Sequence, residues 1–450
     1  METVGELKQT LKLWHVVMIG IGYMTPMVIF DTFGIVSEMT SGHVPTAYVL
    51  ALIGMLFTAI SYGHMVRVYP SAGSAYTYAK NTIHPHLGFL VGWSALLDYL
   101  FMPMVNALLI SMYVTSIFPD IPSWVLIIGV VLLSTLINAW GVNIMANFNS
   151  FLVTFQFLVL AIFIVLIVRG LLMGEGTAHI VSAQPFVSED MALGTLIAGA
   201  TILCFSFLGF DAVTTLSEET PDPKKNIPRG ILLVALIGGG LFIFVSYFIQ
   251  SYFPDVTRFQ DVEAAGSEIA LYVGGTLFQS IFVATVFMAN FASGLTSHAS
   301  VSRLLYVMGR DKLLPVRLFG YVHPKRGTPV YNVIFVGLVS LTALFLDLVT
   351  AVSLLNFGAL IAFTFVNLSV IAHYVVREQQ YKTVSGFLKY FLSPLAGAIT
   401  VGILWLNLES SSFMLGACWA VIGIAYLIYR IYRLRKTPLV ELDESTGSIS

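Results

Sequence analysis

Three aspartates stand inside long apolar runs. Asp98 lies in the middle of VGWSALLDYLFMPMVNALL, Asp31 ends MIGIGYMTPMVIFD, and Asp211 follows a glycine in LCFSFLGFDAVTTLSEET. A charge at the centre of a bilayer costs at least ~2.5–3.5 kcal/mol, so such a residue normally faces a cavity and marks a pathway. No Lys or Arg occurs at comparable depth in any run. The acids therefore await a partner the chain does not supply, and a cationic substrate or a proton fits. The competing reading for each is a structural acid capped by backbone N–H groups. Ser94, Asp98, Met102 and Asn106 step by four and share one polar-tinged helix face. Tyr23, Tyr99, Phe205, Phe207 and Phe210 adjoin the acids, and a ring face attracts an ammonium by ~0.5–2 kcal/mol. Met24, Thr25, Ser206 and Gly209 complete the candidate lining. Packing is the ordinary alternative for each aromatic.

The elements that must hold these residues follow from composition. Of 450 residues, 57% are hydrophobic and 10% charged, against roughly 25% charged in a soluble domain. Most of this chain's surface therefore cannot face water. A span needs ~20 predominantly apolar residues. Twelve candidates occur, at about 13–35, 45–66, 87–113, 122–140, 149–170, 193–216, 230–252, 272–296, 329–347, 351–376, 390–407 and 412–432. The expectation is an all-α membrane protein with twelve transmembrane helices and no separate soluble domain. The segment METVGELKQTLKLW is polar and then amphipathic, which predicts no cleavable signal. Residues 1–435 form the polytopic unit, and the polar stretch 436–450 reads as a disordered cytoplasmic tail.

Charge sets the orientation. All 22 Lys and Arg except Arg169 and Arg258 fall on one side of such an arrangement. The positive-inside rule then puts both termini in the cytoplasm, with an even helix count. The loop near 253–268 carries Asp255, Asp261, Glu263 and Glu268 on the other side, a mildly favourable mouth for a cation or simply solvated surface.

Two spans are interrupted. The first holds Gly20, Gly22 and Pro26, and the sixth holds Gly209 just before Asp211. Backbone groups freed by Gly and Pro must be satisfied by protein, water or ligand. Interruptions at corresponding places of two repeats point to a midplane site in an inverted-repeat transporter. First and sixth correspond in a five-plus-five repeat. The plain alternative is that Gly and Pro are commoner in membrane helices.

Three blocks, in order, resemble the amino acid–polyamine–organocation transporter superfamily over nearly the whole chain. They are VYPSAGSAYTYAK at 68–80, FSFLGFDAVTTLSEETPDPKKNIPRGI at 205–231 and ASVSRLLYVMGRDKLLP at 299–315. The phrases DTFGIVS, GHVP, SALLDYLF and ANFN are most similar to bacterial putrescine importers of that superfamily. The resemblance implies an inverted-repeat fold with discontinuous first and sixth helices and proton-coupled secondary transport, as a symport, across the bacterial inner membrane. Repeat one is expected at about 13–170 and repeat two at about 193–376, with two extra helices at about 390–432.

Two departures bear on the substrate. Amino-acid carriers of the superfamily hold a substrate carboxylate on a Gly-Ser-Gly-like turn, where this chain reads Pro26-Met27-Val28. Pro has no N–H, so one donor is lost. Many relatives carry a fifth-helix Lys where FNSFLVTFQFLVL has Gln156. Both changes suit a dication, although some polyamine exchangers keep the glycine turn. Asp98, Gln156, Glu218 and Glu219 are the candidate coupling or gating residues. Glu218 and Glu219, beside Lys224 and Lys225, read as a cytoplasmic gate or a loop salt bridge. His298 reads as a hydrogen-bonded interfacial histidine or a proton sensor, and Tyr76 and Tyr78 as interfacial-belt aromatics.

Other classes find little support. Cys204 and Cys418, read as buried core filler, form no metal-ligand spacing. No nucleotide loop or nucleophile–base arrangement occurs, and net charge −2 does not suggest nucleic acid. The chain is expected to be no enzyme and to use no cofactor or metal. Its expected partners are a small cation, protons and the lipid bilayer. The leading reading is an importer of putrescine or a similar small amine. Open alternatives are an amino-acid permease or exchanger and, in another class, a transporter-like solute sensor. An open channel fits broken, occluding helices poorly.

Overall fold

Apolar runs of this length can satisfy their own backbone in lipid only as helices or closed barrels. In a computed structural model, residues 9–118, 120–188, 191–255, 259, 265–346, 348–406 and 410–434 are described. Among them the chain is helical, with no strand. The helices are α1 (Leu13–Met24), α2 (Val28–Met39), α3 (Val44–Val68), α4 (Ser74–Thr82), α5 (Pro85–Ile117), α6 (Ser123–Trp140), α7 (Val142–Leu172) and α8 (Leu193–Leu203). They continue as α9 (Pro223–Tyr252), α10 (Ala265–Arg310), α11 (Val316–Phe319), α12 (Val330–Ser340), α13 (Leu348–Val370), α14 (Val384–Phe387), α15 (Ser393–Leu406) and α16 (Ser410–Leu434). The tail 436–450 and the acids Asp261 and Glu263 lie outside the described residues.

Among the described residues, ten helices are long and apolar enough to cross a membrane, and eleven when α1 and α2 count as one bent span. The expected twelfth, at 329–347, is apolar but short, running as a helix over Val330–Leu344. At 1.5 Å per residue it covers roughly 22 Å, less than a ~30 Å hydrocarbon core. α4 had no signal in hydropathy because it is short and polar in part. It tucks against α5 and α13, which buries Tyr76 and Tyr78. Neither tyrosine belongs to an interfacial belt.

α5 is the axis of the assembly. Its apolar window is 83% buried, against 17% for the peripheral α16. α13, α10 and α4 pack on α5, α9 packs on α3, and α1 runs between α9, α7 and α10. α16 is clasped to α5 by reciprocal indole bonds, Trp93 Nε1 to the Trp419 carbonyl at 3.0 Å and Trp419 Nε1 to the Trp93 carbonyl at 2.7 Å.

The first span breaks at Thr25–Met27, where Thr25 has φ 48° and the axis bends by 45°. Gly20 and Gly22 are not at the break. They lie inside α1, where Gly20 meets Val213 and Val234 and Gly22 meets Asn149. The sixth run leaves the α-helix at Leu203, turns through 3-10 geometry over Cys204–Phe207, and passes Gly209 at φ 110°. It resumes as a 3-10 helix over Asp211–Glu219. Hydroxyls help to set that tighter winding. Thr214, Thr215 and Ser217 each bond the carbonyl three residues back, at 2.5–2.7 Å, offering the backbone an alternative to α-helical bonding.

Candidate functional site

The stripe of α5 predicted from four-residue spacing is buried along its length: Ser94, Asp98, Met102 and Asn106 are all inside. Small residues bring its neighbours close. A Cβ on Gly358 of α13 would press on the Asp98 backbone nitrogen and the Ser94 carbonyl. Asn106 donates to Ser293 of α10 at 3.1 Å, and Ser293 donates to the Tyr23 carbonyl at 2.8 Å. One chain of contacts thus ties α5 and α10 to the last turn of α1, beside the break.

Asp98 and Asp211 come together. They are 2% and 1% exposed and within direct electrostatic reach of each other. Tyr99 donates to Asp211 Oδ2 at 2.6 Å, and Tyr62 of α3 donates to the same oxygen at 3.3 Å. The backbone at Gly209 and Asp211 lies close to that carboxylate. Even so, Oδ1 of Asp211 and Oδ1 of Asp98 have no hydrogen-bond partner. Tyr23 lies against Gly209, whose missing Cβ leaves room for the ring. Its hydroxyl is buried and unpartnered and interacts electrostatically with both acids. Among the described residues no Lys, Arg or His pairs with either aspartate. The arrangement is a buried, doubly acidic nest ringed by phenols, chemically suited to ammonium groups.

The break beside it offers little to a carboxylate. The Met27 N–H donates to Thr25 Oγ1 at 3.3 Å, Val28 N–H to the Thr25 carbonyl at 3.2 Å, and Phe30 N–H to the Met27 carbonyl at 3.1 Å. Pro26 has no N–H to give. Thr25 therefore closes the break on itself, while the Met24 side chain packs against Gly238 of α9.

Other expected residues fall elsewhere. Phe207 is buried against Tyr48 and Phe242, and Ser206 hydrogen-bonds Tyr48 at 3.2 Å. Both serve the seam with α3 and α9. Phe210 sits nearer the acids, edge-on to Tyr62 and close to Phe363, and Phe205 is partly exposed. Asp31 stands beyond the break in α2 and accepts from Tyr113 at 2.8 Å. Tyr113 is about 22 Å farther along α5 than Asp98 at 1.5 Å per residue, so Asp31 belongs to a separate polar pair. Gln156 of α7 is fully buried, with neither amide atom hydrogen-bonded. Cys204 is buried, but Cys418 is exposed on α16.

The end of the molecule rich in Lys and Arg is tied together by ion pairs. Glu218 takes a bidentate bond from Arg310 at 2.7 and 2.8 Å, and Glu219 pairs with buried Arg303. Lys80 and Tyr76 both bond Asp311, each at 2.5 Å. The partners of Glu218 and Glu219 are thus arginines of α10, not the adjacent Lys224 and Lys225. A polar pocket of about 330 Å³ between Tyr69, Lys80, Arg310 and Asp311 opens beside them. His298 is buried inside α10 and bonds the Val333 carbonyl at 2.8 Å, as a satisfied structural histidine does.

Sequence reasoning missed Tyr62, Ser293 and Gly358, and took Tyr78, which is buried, for a belt aromatic. Tyr62 had only a faint signal, a hydroxyl four residues after Thr58 in an otherwise apolar run. The glycine and serine carry no signal of their own. Among the described residues, no three His, Cys, Asp or Glu side chains are grouped to hold a metal.

Comparison with known proteins gives the geometry a context. The family model described as amino acid permease matches residues 15–431. The low-affinity putrescine importer PlaP of Escherichia coli (strain K12) is 53% identical over 422 residues, covering 94% of this chain and 93% of its own. The methylthioribose transporter of Bacillus subtilis (strain 168) is 28% identical over 96% of this chain and 95% of its own. The branched-chain amino acid permease BcaP of the same organism is 26% identical over 97% and 96%. With apolar helices enough for a multi-pass membrane protein and a family match spanning nearly its whole length, the chain is a transporter rather than an enzyme and belongs to the amino acid permease family.

Proposed function

We propose that this protein imports putrescine or a similar small primary diamine across the bacterial inner membrane, with protons as the coupled ion. The observation that carries this reading is the Asp98–Asp211 pair, buried and, among the described residues, without a cationic partner. Each buried acid costs at least ~2.5–3.5 kcal/mol unless it is compensated. A diamine brings two positive charges and six N–H donors, enough to meet both carboxylates and the Tyr23 oxygen. The 53% identity to a putrescine importer supports the same substrate class.

An amino acid fits less well, because its carboxylate would face two like charges and a break whose amides are already used. A sensor that binds without transport is supported only by the buried site itself, and it predicts binding without uptake. Twelve spans follow when Val330–Leu344 is counted with the eleven longer ones, in a five-plus-five arrangement at about 13–170 and 193–376 with two helices added. With the basic end cytoplasmic, Glu218 and Glu219 with their arginines close the inner mouth. Gln156, neutral where many relatives are cationic, leaves the cavity free for a dication.

The test is uptake of labelled putrescine into proteoliposomes. Excess unlabelled putrescine or cadaverine should suppress it, while alanine and glutamate should not. If neutral amino acids compete as well as putrescine, the diamine reading is wrong.

A further inference from the structure

We infer that the cleft between α5, α13 and α15 holds a single acyl chain of a membrane phospholipid, with the chain's end against Ser94, one helical turn from Asp98. The inference stands apart from the substrate and from the coupled ion.

The cleft comes from how the helices meet. α5 and α15 both pack on α13. At one level α13 closes hard on α5, where Gly358 meets the Ser94 carbonyl and the Asp98 nitrogen. Beside that contact the helices leave a cavity of about 430 Å³. Leu87, Leu90 and Val91 line it from α5, Ile361 and Phe365 from α13, and Ala398 and Gly402 from α15. A Cβ on Gly402 would meet nothing within 4 Å, so the wall of α15 is open there. Leu87, Ile361 and Ala398 are partly exposed, whereas Val91 and Ser94 are buried. The cavity thus runs inward from an open rim to Ser94.

Its chemistry selects the occupant. Only Ser94 and Thr364 are polar among the lining residues, and the Thr364 hydroxyl already bonds the Leu360 carbonyl at 2.8 Å. A held water needs two to four polar partners, and an amine needs an acid; the cleft offers neither. All three walls lie in stretches apolar enough to cross a membrane, within Pro85–Thr115, Phe357–Arg377 and Val384–Leu404. Leu368 and Ile399, on the same helices, are exposed and so face lipid. A helix from a second copy is too thick. It is ~10–12 Å across with its side chains, so two turns displace roughly 1,000 Å³. A hydrocarbon chain is slender enough. Lipid tails are as apolar as leucine, so packing draws the chain in, because an empty cleft would leave its walls without contacts. The rim at Leu87 lies toward the basic end, where Gly88 rests on the Lys80 backbone. From Leu87 to Ser94 is about 10 Å along α5. A chain laid there keeps water from the side of α5 that leads to Asp98.

The test is photolabelling of the full-length protein in phosphatidylethanolamine and phosphatidylglycerol bilayers. A small fraction of the phospholipid carries a diazirine at the end of one acyl chain, and labelled peptides are mapped. Residues 87–94, 361–365 and 398–402 should be labelled several-fold more densely than Leu132, Leu133 and Leu136, which are exposed on α6. Gly402→Leu fills the open space and should remove the excess. Gly129→Leu, on an open face of α6 with nothing within 4 Å, should leave it unchanged. Labelling no denser than on α6 overturns the inference, and so does an excess that persists in Gly402→Leu. The wild-type protein gives a second reading that needs no variant. With the diazirine moved toward the headgroup, the label should shift from Val91 and Ser94 to Leu87, and a pattern indifferent to its position overturns the inference. A disulfide between copies of Gly402→Cys, in place of lipid labelling, gives the cleft to a second copy and overturns it as well. None of these results touches the diamine reading, which uptake tests separately.

Discussion

Asp98 is the residue on which most depends, because its partner is another acid. Asp98→Asn keeps the shape and removes the charge. A hydrogen bond to a charged group contributes about 1.5–3 kcal/mol, so putrescine binding should weaken about 10- to 100-fold. Asp98→Glu keeps the charge one methylene away and should retain partial activity. Calorimetry on variants of matched melting temperature reads both. An Asn variant that binds like wild type would make Asp98 a structural acid. Asp31, equally conspicuous in the sequence, is not equivalent. Its carboxylate is already engaged by Tyr113, and it stands apart from the pair. Three acids were visible in the sequence, and contacts alone separated two from the third.

At the scale of elements, the site exists because two runs stop being α-helices at the same depth. Gly209 has φ 110°, which side-chain-bearing residues rarely adopt, and any Cβ there would run into the Tyr23 ring. Gly209→Ala should therefore cost about 1–3 kcal/mol of strain and displace the Tyr23 hydroxyl from the acids. The expected result is a lowered melting temperature together with lost uptake. Gly240→Ala, on an open face of α9 with nothing within 4 Å of the new carbon, should preserve uptake. Equal damage from both would mean that α-helical content, not the break, governs the site. The sixth-run interruption was legible from Gly209 alone. The first was legible from Pro26, which lies within the break Thr25–Met27, whereas Gly20 and Gly22 turned out to be contact residues inside α1. Glycine permits both close packing and unusual backbone, and its presence does not say which.

Across the whole molecule, the ion pairs at the basic end join the segment after the sixth run, α4 and the end of α10. Removing one partner of a buried pair strands the other charge at about 3–5 kcal/mol, whereas replacing both by apolar groups is often neutral. Glu219→Gln should lower the melting temperature markedly, and adding Arg303→Met should recover much of it. If the double variant is stable but no longer alternates between inward and outward accessibility, measured by labelling of an introduced cysteine, the pair is part of the closure. Stability and alternation both restored would reduce it to a structural tie.

Membrane class, the position of nearly every long helix, the buried acids and the presence of backbone interruptions were all determined by the sequence itself. Each is a local property: hydropathy accumulates along a window, and Gly or Pro acts where it stands. The pairing of Asp98 with Asp211, of Glu219 with Arg303 and of Asp31 with Tyr113 was decided only by the tertiary structure. Such partners lie on different helices, and the rotation and register that bring them face to face are set by close approaches such as Gly358 on the Asp98 backbone. A glycine in an apolar run reads the same whether it touches lipid or the centre of a site, so only packing reveals that two distant aspartates share one nest.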